Sequence, residues 1–566
     1  MLIEAGSDPE SYNYQVPVFH AYASEEQDMS WNFFVHHYDT DEQRDPKYQP
    51  EEGGVLYPRA GTLGGCTAHN AMITVVPHDS DWNAIAEVTG DASWRAENMW
   101  QYFQRAERCH YRDEPAPGAP NDSGHGFHGW LHTSQVSPKV ALGDMEVART
   151  IFATMRSIVR HWSVLRWLRT RDDPNDRRNR AAVEGFSTVP LATARGRRNG
   201  TREFIKAVRA QHPDRLDIRM NHLATRVLFD EHRRAVGVEC REGRNLYRAD
   251  PNAAEAPQYV TRQYRCTREV ILAGGAFNTP QLLMLSGIGP KGHLQEMGIT
   301  VLADRPGVGS HLQDRYEVAV VSRMKRPFSM LRGATFHPPA PGEPGDREFQ
   351  EWQHGRGLYT SNGAMAALIL RSAPSKPDPD LFIFSLPGDF HGYFPGYSKG
   401  VEERRDHLTW AIVKAHTENT GGTVRLASAD PLQRPVIRFH YFSEGTDKAA
   451  ADLDAMVTAV KLVRRMNSGN HAIAAELIPG PEFGDDRLRE WISNNAWGHH
   501  ASCSCKMGTP DDDTAVVDSR FRVIGTSALR VVDASVFPRI PGFFIAMPIY
   551  MISEKAADVI AEDARS

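Results

Sequence analysis

Two adjacent histidines, His499 and His500, open the segment HHASCSCKMG. A neutral imidazole is the side chain best suited to take or give a proton near neutral pH. Two in a row can equally be surface or supporting groups. A third histidine, His69, closes the glycine-rich run YPRAGTLGGCTAHNAM at 57–72. At the chain start, MLIEAGSDPE, Leu2 and Ile3 read as the end of a buried strand. Glu4 stands where that strand stops, and Gly6 begins a turn. In dinucleotide-binding βαβ units an acidic residue at this point accepts hydrogen bonds from both ribose hydroxyls. More often a strand-end Glu is only solvated. Cys503 and Cys505 are spaced C-x-C, which suits neither a common zinc knuckle nor a redox C-x-x-C. They read as small, semi-buried fillers, and no metal site is expected.

These residues need a large scaffold. At 566 residues the chain suggests two domains, interleaved along the sequence. Apolar residues make up 41% and charged residues 24%, an ordinary globular balance. A formal charge of −6 gives no reason to expect nucleic acid as a partner. No run approaches the ~20 apolar residues of a membrane helix, and no leader opens the chain. Six cysteines in so long a chain form no disulfide framework and point to a reducing, cytoplasmic setting.

The first 56 residues read as long loops with scattered strands. Helical spacing marks 97–108, 145–170 and 446–466, with a short helix in TREFIKAVRA. LDIRMNHLATRVLFD gives two strands of apolar and β-branched alternation. REVILAGGAFNTPQLLMLSGIGP reads as strand, glycine turn, helix, and ALRVVDAS, FPRIPG and MISEKAADVIAEDA repeat that order near the end. Pro/Gly-rich stretches at 334–346 and 373–400 read as loops. Strand–glycine turn–helix units at distant places predict one α/β domain assembled from separated segments.

Six segments occur in order: RAGTLGGCTAHN (59–70), GAFNTPQLLMLSGIGP (275–290), PGVGSHLQD (306–314), HASCSCKMG (500–508), LRVVDASVFP (529–538) and EKAAD (554–558). Together they resemble the glucose-methanol-choline (GMC) oxidoreductases, flavoproteins that oxidise alcohols, and choline dehydrogenases and oxidases above all. The resemblance implies a Rossmann-like FAD-binding domain from 1–80, 190–315 and 495–566. It implies an α+β substrate domain with an antiparallel sheet from 81–189 and 316–494. The activity implied is oxidation of a primary or secondary alcohol by hydride transfer to flavin N5, with a small-molecule alcohol as partner. His500 falls where the family carries its base, with His499 beside it and facing elsewhere if the segment is extended. Gly61, Gly64 and Gly65 would let the backbone approach the planar cofactor without Cβ collisions. Thr67 and Asn70 would bond the pyrophosphate or flavin ring, and Arg59, Gly274 and Ala534 belong to the same implied cradle. Val227 would offer backbone atoms to adenine. Asp533 would accept from ribityl or phosphate-bridging water, or only cap its turn. His69 falls in the slot of a flavin-linked histidine, and it either bonds the flavin or packs beside it.

Two features depart from the family pattern. Anchoring on Pro548 and Glu554-Lys555 puts Phe544 and Ala546 where members carry a second polar residue, and neither can bond a substrate oxygen. A more apolar substrate is the expected consequence. The second departure is at the start: the strand and G-x-G-x-x-G turn that should precede LIEAG, about 30 residues, are not in the sequence. If Met1 is the true start, weak flavin binding and poor solubility are expected, and a flavin-free, inactive homologue is an alternative reading. A different flavin reaction on the same scaffold is another. The segment 154–171 alternates basic residues with Trp162, Leu165, Trp167 and Leu168, either a solvated face or a membrane-surface helix. The aromatic stretch 387–400 has the composition of a loop that closes over substrate, or of one covering a sheet edge.

Overall fold

A computed structural model describes residues 1–40, 44–135, 144–161, 173–178, 184–340 and 342–565. Six strands build one sheet in the order Ile473–Ile478, Tyr316–Met324, His407–Lys414, Leu381–Pro387, Ala366–Leu370, Gly185–Ser187. Every neighbouring pair is antiparallel. All residues of His407–Lys414 and of Ala366–Leu370 are buried. AALIL accordingly reads as an unbroken apolar run with no alternation, while HLTWAIVK buries Lys414 against Asp380 and Asp452. The helix Ala451–Ser468 packs on Tyr316–Met324 and His407–Lys414, burying Leu453, Met456, Val460 and Val463.

The nucleotide-binding part is assembled from distant segments. Leu2–Ile3 pairs in parallel with Ile218–Arg219, and Val270–Leu272 with Leu529–Val531. These pairs are separate two-stranded sheets. Helix Gly275–Leu285 follows Val270–Leu272, giving the expected strand–turn–helix, and Gly275 holds φ +81, which only glycine adopts without strain. His222–Phe229, Ala235–Glu242 and Val260–Arg265 form an antiparallel meander. The architecture is thus the α/β part from separated segments, plus an antiparallel sheet, that the sequence leads one to expect.

One backbone junction places the first loop. A Cβ on Gly6 would lie 1.7 Å from the carbonyl oxygen of Gly61, and a Cβ on Gly61 would lie 2.3 Å from the Trp31 indole. The turn after Glu4 therefore touches the glycine-rich run directly. Ser7 O accepts from Thr62 Oγ1 at 2.7 Å and from Leu63 N at 3.1 Å.

Several element boundaries differ from expectation. Strand Leu381–Pro387 lies inside the stretch read as loop at 373–400, and helix Tyr397–Glu403 begins inside it. LFIFSLP is a short apolar run bracketed by Pro, Gly and Asp, and those breakers mask it. The helix expected from 446 begins at Ala451, because Ala450 is left-handed (φ +53) and Asp447 Oδ2 accepts Asp452 N–H at 2.9 Å. The last helix begins at Ala546, with Pro548 in its first turn, where a missing N–H costs nothing. The helix expected over 145–170 is described as Met145–His161. Trp162, Leu165, Trp167 and Leu168 lie outside the described residues. Among the described residues no helix is long and apolar enough to cross a membrane. All six cysteines are free, and Cys503 and Cys505 are fully buried, not half-exposed.

A buried ionic group holds the strands Glu107–Cys109 and Leu131–Gln135. His125 lies between Glu107 Oε2 (2.8 Å from Nδ1) and Asp173 Oδ2 (3.0 Å from Nε2). Burial works to lower its pKa, but hydrogen bonds to Asp173, Cys109 and Glu107 outweigh this and raise it to about 12. Both ring nitrogens therefore donate. The stabilisation is complete below the unfolded value near 6.5 and fades as pH rises toward 12. His125→Leu should cost about 3–5 kcal/mol at pH 6 by removing the cation that sits between two buried carboxylates, although Asp173 keeps Arg112 at 2.9 Å. Denaturant melts of both proteins should show the difference shrinking between pH 6 and 9, and a constant difference would contradict the charged state.

Candidate active site

The segment after Trp497 runs antiparallel to residues 313–317. Glu317 N donates to Trp497 O (2.9 Å) and Trp497 N to Glu317 O (3.0 Å), while Gln313 and Ser502 exchange bonds at 3.0 and 2.9 Å. Between these two points the ladder breaks. His500 N–H goes to the Asp314 side chain (2.8 Å), and Gly498 lies so close to Asp314 that a Cβ would meet its Oδ2 at 2.4 Å. The bulge turns both imidazoles to one side, with ring centroids 4.0 Å apart. His499 therefore does not face away from His500, as a regular extended segment would require.

Asp314 anchors this bulge. It accepts from Tyr57 Oη (2.6 Å), Arg315 N (2.7 Å) and His500 N, and Tyr57 Oη in turn accepts from Ala501 N (2.8 Å). Arg59 lies over the Tyr57 ring at 4.5 Å and donates to His499 O at 3.0 Å.

Both imidazoles approach one carboxyl group. Glu317 Oε1 is 3.1 Å from His499 Nδ1 and 3.4 Å from His500 Nδ1. None of the three atoms makes an aligned hydrogen bond, and all are buried. Burial, with Asp314 adding to it, pushes Glu317 well above the usual carboxyl range against the pull of Arg315. Burial lowers His499 to about 3, helped by Arg59, Arg315 and His20. It holds His500 well below the ordinary imidazole value, helped by His499, Arg315 and Arg59. Two neutral imidazoles beside a buried acid can accept a proton from a bound hydroxyl.

Aromatic rings line the other side. Tyr393 meets His499 edge-on at 5.2 Å, and Phe390 meets Trp497 at 5.8 Å. The aromatic stretch from 387 thus lies against the histidine pair. Phe544 sets its ring 5.8 Å from His500 at 82° and packs on Phe382, and Ala546 opens the last helix.

The remaining predicted residues fall into two groups. Gly64 and Gly65 (φ +96 and +56) turn the chain into Gly65–Ala68, and Thr67 Oγ1 donates to Gly64 O at 2.7 Å. Asn70 Oδ1 accepts from Met72 N (3.1 Å) and Arg198 Nη1 (2.9 Å). His69 is buried, its Nε2 has no partner, and burial, then Arg59, Arg198, His499 and His20, lowers it to about 3. This places His69 in the same electrostatic neighbourhood as the histidine pair. The second group lies at the parallel strand ends. Glu4 Oε1 accepts from Gly6 N at 2.8 Å, and burial raises its pKa to about 7. Asp533 accepts from Gly275 N (2.9 Å), Thr279 Oγ1 (2.6 Å) and Ser535 N (2.8 Å), cross-linking the turn after Gly274 to its own. Ala534 O accepts Cys503 N, and Val227 N donates to Ser286 Oγ at 2.9 Å.

Glu317, Arg315, Tyr57 and Arg198 belong to no motif visible in the sequence. The last donates to Tyr14 O, Thr67 O and Asn70 O and so fixes the glycine-rich loop. One signal was available: Arg315 and Glu317 are charges at the mouth of an apolar run, DRYEVAVV, where a buried charge is costly without a partner.

Glycine turns at parallel strand ends and a buried imidazole pair are the parts a nucleotide-cofactor oxidoreductase needs. Residues 51–317 and 418–553 match the N- and C-terminal models of the GMC oxidoreductases. The chain is 30% identical over 543 residues to the oxygen-dependent choline dehydrogenase of Sinorhizobium medicae, covering 94% of this chain and 87% of that one. It is 30% identical over 575 residues to that of a Rhizobium etli strain, covering 99% and 90%. Among solved structures it resembles formate oxidase (TM-score 0.78, 21% identity, 100% and 93% covered) and a fungal aryl-alcohol oxidase (0.71, 20%, 100% and 94%). The chain belongs to the GMC oxidoreductase family, and is an FAD-dependent oxidoreductase acting on CH–OH groups. The residues present fit that cofactor: a Cβ at Gly65 or Gly275 would meet nothing within 4 Å, and His69 Nε2, Arg198 Nη2 and Ser535 Oγ are buried without partners. Open glycine edges and unmet polar atoms are what a large polar cofactor would cover.

Proposed function

We propose that this protein oxidises an alcohol bearing a quaternary ammonium group, as choline does. The observation that carries the reading is Glu317, a buried carboxyl with an unmet oxygen, facing aromatic side chains. Trp497, Tyr393 and Phe390 supply ring faces, and a cation among such faces is attracted by their quadrupoles. Phe544, against His500, adds an apolar ring that suits methyl groups better than water. The choline dehydrogenases among its relatives act on such a substrate.

His500 takes the hydroxyl proton in this reading. Its ring is neutral, and its backbone is fixed by Asp314, so it is free to accept. His499, 4.0 Å away, is the second imidazole of the pair and touches the Tyr393 side of the pocket. Bound FAD supplies the acceptor for the carbon-bound hydride. Arg59, Gly61, Gly64, Gly65, Thr67, His69 and Asn70 would hold its flavin half. Glu4, Val227, Gly274, Asp533 and Ala534 would hold the rest. Segments 1–80, 190–315 and 495–566 form the cofactor domain in this scheme, and 81–189 and 316–494 the substrate domain. His500 and Glu317 then meet where the two join.

The test compares choline with its neutral carbon isostere, 3,3-dimethylbutan-1-ol. Choline should have a KM at least about tenfold lower, the worth of a desolvated cation–ring contact plus the carboxylate. The groups facing Glu317 are His499, His500, Asp314, Arg315, Tyr393 and Trp497. Glu317 gains charge only as pH rises above the usual carboxyl range, so choline's KM should fall as pH rises while the isostere's stays level. Equal KM values for the two alcohols at every pH would sink the reading.

A further inference from the structure

Arg315 is fully buried and immediately precedes the strand that carries Glu317, Tyr316–Met324. Its Nε donates to Phe543 O and its Nη2 to Pro541 O, both at 2.5 Å. These bonds consume one edge of the planar guanidinium. Nη1, on the other edge, is buried and has no partner. An unmet donor on a buried cation is expensive, since the group has lost water and gained nothing. Arg315 grips Phe543 O, one residue before Phe544, whose ring lies 5.8 Å from His500, and Glu317 faces the two imidazoles. Arg315 is close enough to depress both histidines and to pull against Glu317's upward shift.

The loop that Arg315 grips leads straight into Phe544, the residue set beside His500 where a polar group was expected. Phe544 offers no hydrogen bond where the family resemblance led one to expect one, and the loop's anchor holds one unspent donor. We propose that Arg315 Nη1 donates to the substrate's hydroxyl oxygen and so replaces the missing polar partner. When His500 takes the proton, negative charge grows on that oxygen, and a fixed guanidinium nearby stabilises it more than the neutral alcohol. No bond to Arg315 forms or breaks. The role rests on the proposed alcohol oxidation at His500, but not on the ammonium group.

Steady-state kinetics of Arg315→Met and Arg315→Lys on choline and on 3,3-dimethylbutan-1-ol test this, with tetramethylammonium as an inhibitor that has no oxygen. Arg315→Met should lose about 10²–10³ in kcat on both alcohols, the usual cost of one such donor. Its tetramethylammonium Ki should stay within about threefold. Arg315→Lys, which keeps a charged donor, should recover at least about tenfold of the loss. A kcat within threefold of the parent in Arg315→Met overturns the proposal. So does a Ki that rises in step with the fall in kcat, because Arg315 would then only hold the loop. If Arg315→Met does not fold, Arg315→Lys decides alone: a kcat drop of about tenfold with unchanged Ki supports the role, and an unchanged kcat overturns it. If tetramethylammonium fails to inhibit the parent enzyme, the ammonium reading falls. The Arg315 role is then judged on kcat for the neutral alcohol.

Discussion

Replacing His500 by Ala should lower kcat by about 10²–10⁴ while the protein keeps its full complement of FAD. That range is what a well-placed general base contributes. The expected loss is chemical and not structural, because the segment is held through its backbone. His500 N donates to Asp314, Ala501 N to Tyr57 Oη, and Ser502 pairs with Gln313. None of these bonds uses the imidazole. The pH profile gives a second check. Burial, His499, Arg315 and Arg59 hold His500 well below 6.5, so the ring is ready to accept throughout the neutral range. The acid limb of kcat/KM for 3,3-dimethylbutan-1-ol, whose binding does not depend on Glu317, should therefore lie below the pH expected of a free histidine, and it should vanish in His500→Ala. Unchanged turnover in flavin-replete variant protein would remove His500 from the reaction.

The parts of this site that were legible in the sequence are those built from one short segment. Gly61, Gly64, Gly65 and His69 lie within nine residues, and their spacing already describes the turn they make. Gly275 needs glycine because of its own φ, a local matter. Glu317 was not legible in the same way. Its role depends on the register that sets it against Trp497 and on a bulge at Gly498 that no pattern announces. His499 shows the cost of assuming regular alternation: one side-chain bond from Asp314 redirects the backbone and reverses where the ring faces. Leu381–Pro387 was hidden for the opposite reason. Its apolar run is clear, but it lies between clusters of Pro, Gly and Asp that dominate any window around it. The antiparallel sheet was expected as a whole, yet its order joins residues 185 and 473 at opposite edges, which only tertiary packing decides.

Glu317→Gln should raise choline's KM by about 10²-fold and leave that of 3,3-dimethylbutan-1-ol nearly unchanged. Gln keeps the shape and one acceptor but cannot become charged, so only the cation's partner is lost. Buried charge pairs across an interface couple by several kcal/mol, of which 10²-fold, about 2.7 kcal/mol, is a conservative share. The same substitution should make the protein more stable. Glu317 has a folded pKa well above its unfolded value of 4.5, so the folded state holds a proton that the unfolded state releases. Stability therefore falls as pH rises above 4.5, until the folded group also ionises. Gln has no such penalty, and its advantage in melting temperature should be absent at pH 4 and present at pH 7. A site that gives up stability in order to keep an unpaired acid needs a ligand that rewards it, and a cation does so by completing the pair. Should Glu317→Gln instead melt lower than the parent at pH 7 and bind both alcohols equally poorly, the carboxyl would be holding the pocket together and not recognising charge.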